Sequence, residues 1–149
     1  ETMHSSIDAR ARGFIRACKA AEETRELDWE VITVPRGTEF VESTLSSLLA
    51  LDDFPDAICC QMDMMAIPLV LRLVRYGHHT PRDYSIIGFD DSPYADTVNL
   101  TTMRQNPRDM GIRAAQKALA LIREEPLDTP HEIVQPHLVL RGTDRLYEG

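Results

Sequence analysis

Residues 84–102 read YSIIGFDDSPYADTVNLTT. The apolar run Ser85-Ile86-Ile87 stops abruptly at Gly88-Phe89-Asp90-Asp91. A hydrophobic strand that ends this way sets two acidic side chains at its carboxyl end. In open α/β sheets, ligands bind outside the carboxyl ends of the strands. The stretch therefore predicts a buried strand and marks where a binding site would sit.

Outward from this stretch, helical and strand patterns alternate. Residues 8–23 carry Phe14, Ile15, Cys18 and Ala21 at helical spacing. Residues 29–34 read as a strand, residues 35–37 as a turn, and residues 38–51 as a helix with Val41, Leu45, Leu48 and Leu49 on one face. A short strand is expected at 57–60. Asp63 resembles an N-cap for a helix over 64–76, which Gly77 closes. His78 and His79 fall in a loop, with no partner at metal-ligand spacing. After the 85–88 strand comes a helix over 106–123, with Met110, Ala114, Ala118 and Ile122 one turn apart. Two late strands, 132–135 and 138–140, flank Pro136. Alternation of this kind implies βαβ units, and continuously apolar strands imply helices on both sheet faces. We expect one α/β domain over 1–149, a three-layer α/β/α arrangement with a mainly parallel sheet.

The composition narrows the function classes. At 149 residues the chain can bury a real core, and its 43% hydrophobic and 27% charged content is ordinary for a globular protein. No apolar run approaches the roughly 20 residues of a membrane span. A net charge of −8 argues against this chain itself gripping nucleic acid, which needs clustered Lys and Arg. Cys18, Cys59 and Cys60 show neither metal spacing nor a disulfide framework. All three are expected to be buried or half-buried thiols in a reducing cytosol.

Several pieces, in order, carry a family resemblance. The run from Pro81 to Asp91, followed by Leu100-Thr101-Thr102, fills the pattern P-x-D-[IVLY]-S-[IV]-[IV]-G-[FY]-D-D…L-T-T. Arg10 to Phe14 fills R-x-x-G-[FYW]. Pro55-Asp56-Ala57-Ile58 and Asp63 to Ala66 fill P-[TD]-A-[IV] and the D-x-x-A part of N-D-x-x-A. Met110-Gly111 with Ala114 fills [ML]-G-x-x-A, and residues 138–143 fill L-[VI]-x-R-x-[ST]. With nearly its whole length covered, the chain resembles the LacI-GalR regulators. That resemblance implies the carboxyl-terminal lobe of a type I periplasmic-binding-protein-like core. It also implies an upstream helix-turn-helix domain and the rest of the first lobe, neither in this chain, with operator DNA reached only through that domain. The implied protein is a cytoplasmic homodimer that takes a small effector, a sugar or related polyol or a nucleobase-like ligand, with no cofactor and no membrane.

The resemblance implies a half-site. Asp90 matches the effector-contacting acid; a carboxylate can accept two hydroxyl bonds at once. Arg10 matches the effector-binding arginine, whose fork suits an anion or a polar ring. His4 and Ser6 fall where some members contact ligand, and Arg36 falls near a position often held by a stacking aromatic. Asp63 matches the aspartate of N-D, but Met62 stands where the family has Asn, which removes an amide that could bond a sugar hydroxyl. Asp91 reads as a turn cap. Met64, Ile67, Leu71 and Val98 are the candidate dimer contacts. Two other classes stay in view. One is a solute-binding protein of a transport system, which uses the same core. The other is an enzyme holding Mg²⁺ on Asp63, Asp90 and Asp91, although no catalytic residue or phosphate-binding glycine loop is recognisable.

Overall fold

The computed structural model describes residues 6–34, 39–127, 129 and 131–145. Helix α1 spans Ser6–Glu22, α2 Phe40–Leu49, strand β1 Ala57–Cys59, and α3 Asp63–Leu73. Strand β2 runs Ser85–Asp90, β3 Thr101–Arg104, α4 Pro107–Ile122 and β4 His137–Val139. The sheet order is β1-β2-β3-β4, parallel across the first three strands and antiparallel between β3 and β4. The mainly parallel α/β sheet expected from the sequence is present.

One sheet face is well covered. Ile86 on β2 is fully buried among Leu69, Leu73 and Ala66 of α3, Leu45 and Leu48 of α2, and Tyr84, Ala95 and Leu100. α3 packs against α2, against β2 and against the 3₁₀ turn Ala95–Val98. Burying a leucine completely stabilises by about 1.5–3 kcal/mol, so this cluster is the centre of the fold. Pro68 lies inside α3, which nonetheless continues to Leu73 and a 3₁₀ turn. Gly77, with φ of 87°, closes that turn in the left-handed region that glycine adopts freely.

The tail fastens the sheet. Thr143 is buried; its hydroxyl donates to the Ile86 carbonyl (2.8 Å) and accepts from the Thr101 amide (2.9 Å). The Ile86 amide in turn donates to the Thr143 carbonyl (2.7 Å).

Several expectations need correction. Residues 29–34 form no strand, because no neighbouring strand among the described residues pairs with them; Trp29 instead donates to Glu22 (2.7 Å) and meets the Phe14 ring edge-on. Residues 132–135 form no strand either. They lie along α4, where Arg113 and Lys117 both pair with Glu132. The final strand sits one residue earlier than read, at His137–Val139. β3 was not anticipated as a strand at all. The apolar spacing of α4 suggested a buried face, yet α4 buries none of its residues. Cys59 is exposed, while Cys18 is buried and Cys60 half-buried. His78 is not simply a surface loop residue, since its ring stacks on Phe54 at 3.9 Å.

Candidate functional site

The carboxyl ends of β1, β2 and β3 lie side by side because the three strands are parallel. Asp90 is the last residue of β2, Gln61 follows β1, and Gln105 follows β3. α1 brings Arg10 to this edge from far away in sequence. Its guanidinium donates to the Gln61 carbonyl (2.6 Å) and to Asp90 Oδ1 (3.3 Å), and lies 3.9 Å from the centre of the Phe89 ring. The ring supplies a cation–π contact, and a partly desolvated contact of that kind is worth more than an exposed one. Gln105 Nε2 donates to the same Asp90 oxygen (2.6 Å). Both bonds land on Oδ1, and the Asp90 side chain keeps 38% exposure. The carboxylate can therefore still accept from an incoming hydroxyl.

Asp90 has φ of 113° and Asp91 φ of 53°. A non-glycine residue at positive φ is uncommon, and such outliers gather at functional sites. Burial pushes the Asp90 carboxyl above its ordinary value, against the pull of Arg10; the Asp63 charge adds to the rise, and the hydrogen bonds from Gln105 and Arg10 oppose it.

The other two carboxylates support this edge. Met62 occupies the N-cap position of α3, and the Asp63 side chain does not cap it, which corrects the cap reading. Asp63 is fully buried; it accepts from the Thr102 hydroxyl (2.6 Å) and from the Ser92 amide (2.6 Å). It thus ties α3 to β3 and to the loop after β2. A ligand could reach it only by displacing one of those donors. Close packing explains Gly88, where an added Cβ would lie 2.2 Å from Asp63 Oδ1. Asp91 is not a turn cap. Its carboxylate pairs with Arg104 and, at 2.7 Å, with Arg141. Burial alone would raise the Asp91 carboxyl, but the hydrogen bonds from Arg141 and Arg104 outweigh it and hold the carboxyl below its ordinary value. Each of the three carboxylates is held by its own donors, and among the described residues no group of three or more His, Cys, Asp or Glu could hold a metal ion.

His4 and Arg36 lie outside the described residues, as does the side chain of Ser6. Met64 and Leu71 are exposed on α3 at 63% and 56%, whereas Ile67 and Val98 are half-buried against the core. Concave spaces also lie away from the Arg10–Asp90 edge: one of about 440 Å³ along α2 beside Glu39 and Glu42, and one of about 460 Å³ between α4 and residues 131–134. The sequence reading missed Gln105, because it missed the strand that Gln105 follows. It also missed the stacking role of Phe89, although Phe89 lies within the quoted motif.

The profile of the periplasmic binding protein-like domain matches residues 1–143. The chain belongs to this family. As a periplasmic binding protein-like domain it is 31% identical to the arabinose metabolism transcriptional repressor of Geobacillus stearothermophilus, over 91% of this chain and 39% of that protein. It is also 31% identical to the HTH-type transcriptional repressor PurR of Vibrio vulnificus, over 93% of this chain and 42% of that one. Among solved structures, it superposes on a LacI transcriptional regulator from a Rhodococcus species (29% identity, TM-score 0.74, 92% of this chain and 50% of that one). It superposes as well on a LacI-family regulatory protein from Chloroflexus aggregans (26% identity, TM-score 0.78, 91% and 50%). This domain therefore spans about two fifths of the curated relatives it matches and half of the solved chains. These relatives are transcriptional regulators rather than enzymes.

Proposed function

We propose that the chain is the effector-binding and dimerisation part of a cytoplasmic LacI-type transcriptional regulator, with a small polyhydroxylated molecule such as a sugar as its ligand. One observation carries this reading: Arg10 and Asp90, 80 residues apart, meet beside the Phe89 ring at the carboxyl edge of a parallel sheet. A carboxylate for hydroxyls, a guanidinium fork and an aromatic face are what a sugar ring engages. The naming of one relative for arabinose metabolism supports the sugar class. The relatives' names favour a regulator over a transport protein.

In this reading the chain contributes half of a cleft. Ligand binding shifts a two-state equilibrium that a DNA-binding domain reads out, and no covalent chemistry is needed. The exposed Met64 and Leu71 on α3, beside the half-buried Ile67 and Val98, form the contact between subunits.

Isothermal titration of the full-length protein tests the site, using L-arabinose, D-ribose, lactose and a nucleobase as the panel. We expect one of these to bind, and the 149-residue chain to bind it far more weakly because half of the cleft is absent. Asp90→Asn should weaken binding by about 1.5–3 kcal/mol, the range for a hydrogen bond to a charged group. Unchanged affinity in Asp90→Asn, or equal affinity of chain and full-length protein, would sink the proposal.

A further inference from the structure

Asp63 is the wholly buried carboxylate among the described residues, and the donors to it, the Ser92 amide and the Thr102 hydroxyl, are uncharged. Burying a charge is costly, and the contacts of this one bracket Asp90. On the upstream side its Oδ1 lies so close to β2 that a Cβ on Gly88 would come within 2.2 Å of it. On the downstream side its Oδ2 accepts from the Ser92 amide (2.6 Å). Oδ1 also accepts from the Thr102 hydroxyl (2.6 Å), and that hydroxyl oxygen accepts in turn from the Asp91 amide (3.4 Å).

The amides of Asp91 and Ser92 belong to the two peptide links that follow Asp90. Asp63 therefore holds the second link directly, and the first through Thr102 by a longer bond. The same stretch carries the backbone strain, with φ of 113° at Asp90 and 53° at Asp91. Such conformations persist only where the surroundings over-determine them. Other anchors act beside these links rather than on them. The Asp91 side chain is fastened to Arg104 and Arg141, and the Ser92 carbonyl accepts from the buried Ala95 amide (2.9 Å). Asp63 is the first residue of α3, whose Ala66, Leu69 and Leu73 are packed in the core, so its carboxylate is a fixed point. The approach to α3 holds the other member of the pair as well, since the Gln61 carbonyl accepts from Arg10 (2.6 Å).

We propose that Asp63 is a positioning residue for the Asp90 carboxylate: by holding the peptide links after Asp90 to the start of α3, it keeps that carboxylate beside Arg10 and Gln105, ready for a ligand hydroxyl. Asp63 itself touches no ligand and acts through the backbone. A group held ready in this way spares the ligand the cost of ordering it. The consequence for the ligand rests on the effector reading above; the hold on the backbone does not.

Nitrogen-15 relaxation of the 149-residue chain reads the hold without ligand, so its failure leaves the effector reading standing. In the parent, the Asp91 and Ser92 amides should show order parameters of about 0.85, as rigid backbone does. Asp63→Ala should lower both below about 0.6, the flexible range, while Ile86 and Ile87 of β2 keep their parent values. Asp63→Asn keeps one oxygen for the Ser92 amide and should restore most of the order there. Ser92→Ala keeps the amide and should match the parent, although the Ser92 hydroxyl is buried. If Asp63→Ala does not fold, Thr102→Val decides: Asp91 should lose order, whereas Thr102→Ser, which retains the hydroxyl, should not. Parent-like order at Asp91 and Ser92 in a folded Asp63→Ala chain overturns the proposal. An equal fall at Ile86 and Ile87 does so too, because general loosening would give it. In the full-length protein, Asp63→Ala should weaken binding of whichever panel molecule binds by about tenfold, as when the competent fraction falls to about a tenth. Added to Asp90→Asn it should cost little more, because both act through one carboxylate. Additive losses overturn the role in binding. An Asp90→Asn variant with parent affinity sinks the effector reading instead, and the order parameters still decide the hold.

Discussion

At the residue scale, Gly88, Asp63 and Asp91 show how close packing and charge share one edge of the sheet. Gly88 leaves room for the Asp63 carboxylate, and an added Cβ would also meet Leu100 Cδ2 at 2.8 Å. Gly88→Ala must push Asp63 away from Thr102 or shift β2. We expect a loss of about 1–3 kcal/mol, the usual cost of overpacking a filled core, measured by urea denaturation; a loss within error would mean that Asp63 moves freely. Asp91 makes a pH prediction. Its folded-state carboxyl is held below the ordinary value by Arg141 and Arg104 against the opposing effect of burial. Its stabilisation is therefore fully present above the unfolded value, about 3.9, and is lost as pH falls through the lower folded value. Asp90 is shifted upward and has the opposite slope, so it does not mimic this loss. The urea midpoint of the parent should drop more steeply below about pH 4 than that of Asp91→Asn. Parallel curves would show that Asp91 is not the group responsible.

At the element scale, helices with strong periodic spacing were legible and short strands were not. α1, α2 and α3 fall within two or three residues of where their apolar spacing puts them, and Gly77 closes the α3 extension in the expected left-handed conformation. β3 escaped because Thr101-Thr102-Met103-Arg104 has no apolar run; its two buried threonines bond to Thr143, Asp144 and Asp63, partners that are distant in sequence. Residues 29–34 show the reverse case. They have strand composition, but a strand needs a partner ladder, and composition does not supply one. Within α3, Pro68 lacks the amide that would bond to Met64, so the helix holds through the packing of Leu69, Val70 and Leu73 rather than through its backbone alone. Proline is about 3 kcal/mol worse than alanine inside a helix. Pro68→Ala should therefore raise stability by about 1–3 kcal/mol in urea titration. A fall would show that the ring fills space the core requires.

At the scale of the whole molecule, apolar surface is distributed unevenly. Ile122 is 78% exposed, and Ile112, Leu119 and Leu121 of α4 are also exposed. Patches of this kind on a protein surface mark contacts with other chains or a tendency to aggregate. The 149-residue chain should self-associate with rising concentration in sedimentation velocity, and Leu119→Glu with Ile122→Lys should shift it toward monomer. Persistence of the association in that double variant would point to another surface, with Met64 and Leu71 the next to change. The sequence by itself determined the α/β class, helices α1, α2 and α3, the buried strand that ends in Asp90 and the family resemblance, because each is written in local spacing or in a contiguous motif. Only the tertiary structure decided that Arg10 reaches Asp90, that Gln105 shares that carboxylate, that Asp63 is buried beneath it, and that Asp91 joins Arg104 to Arg141. Those contacts join residues 13 to 80 positions apart, and their pairing follows from which strands lie side by side, a choice made by the packed core rather than by any stretch of neighbours.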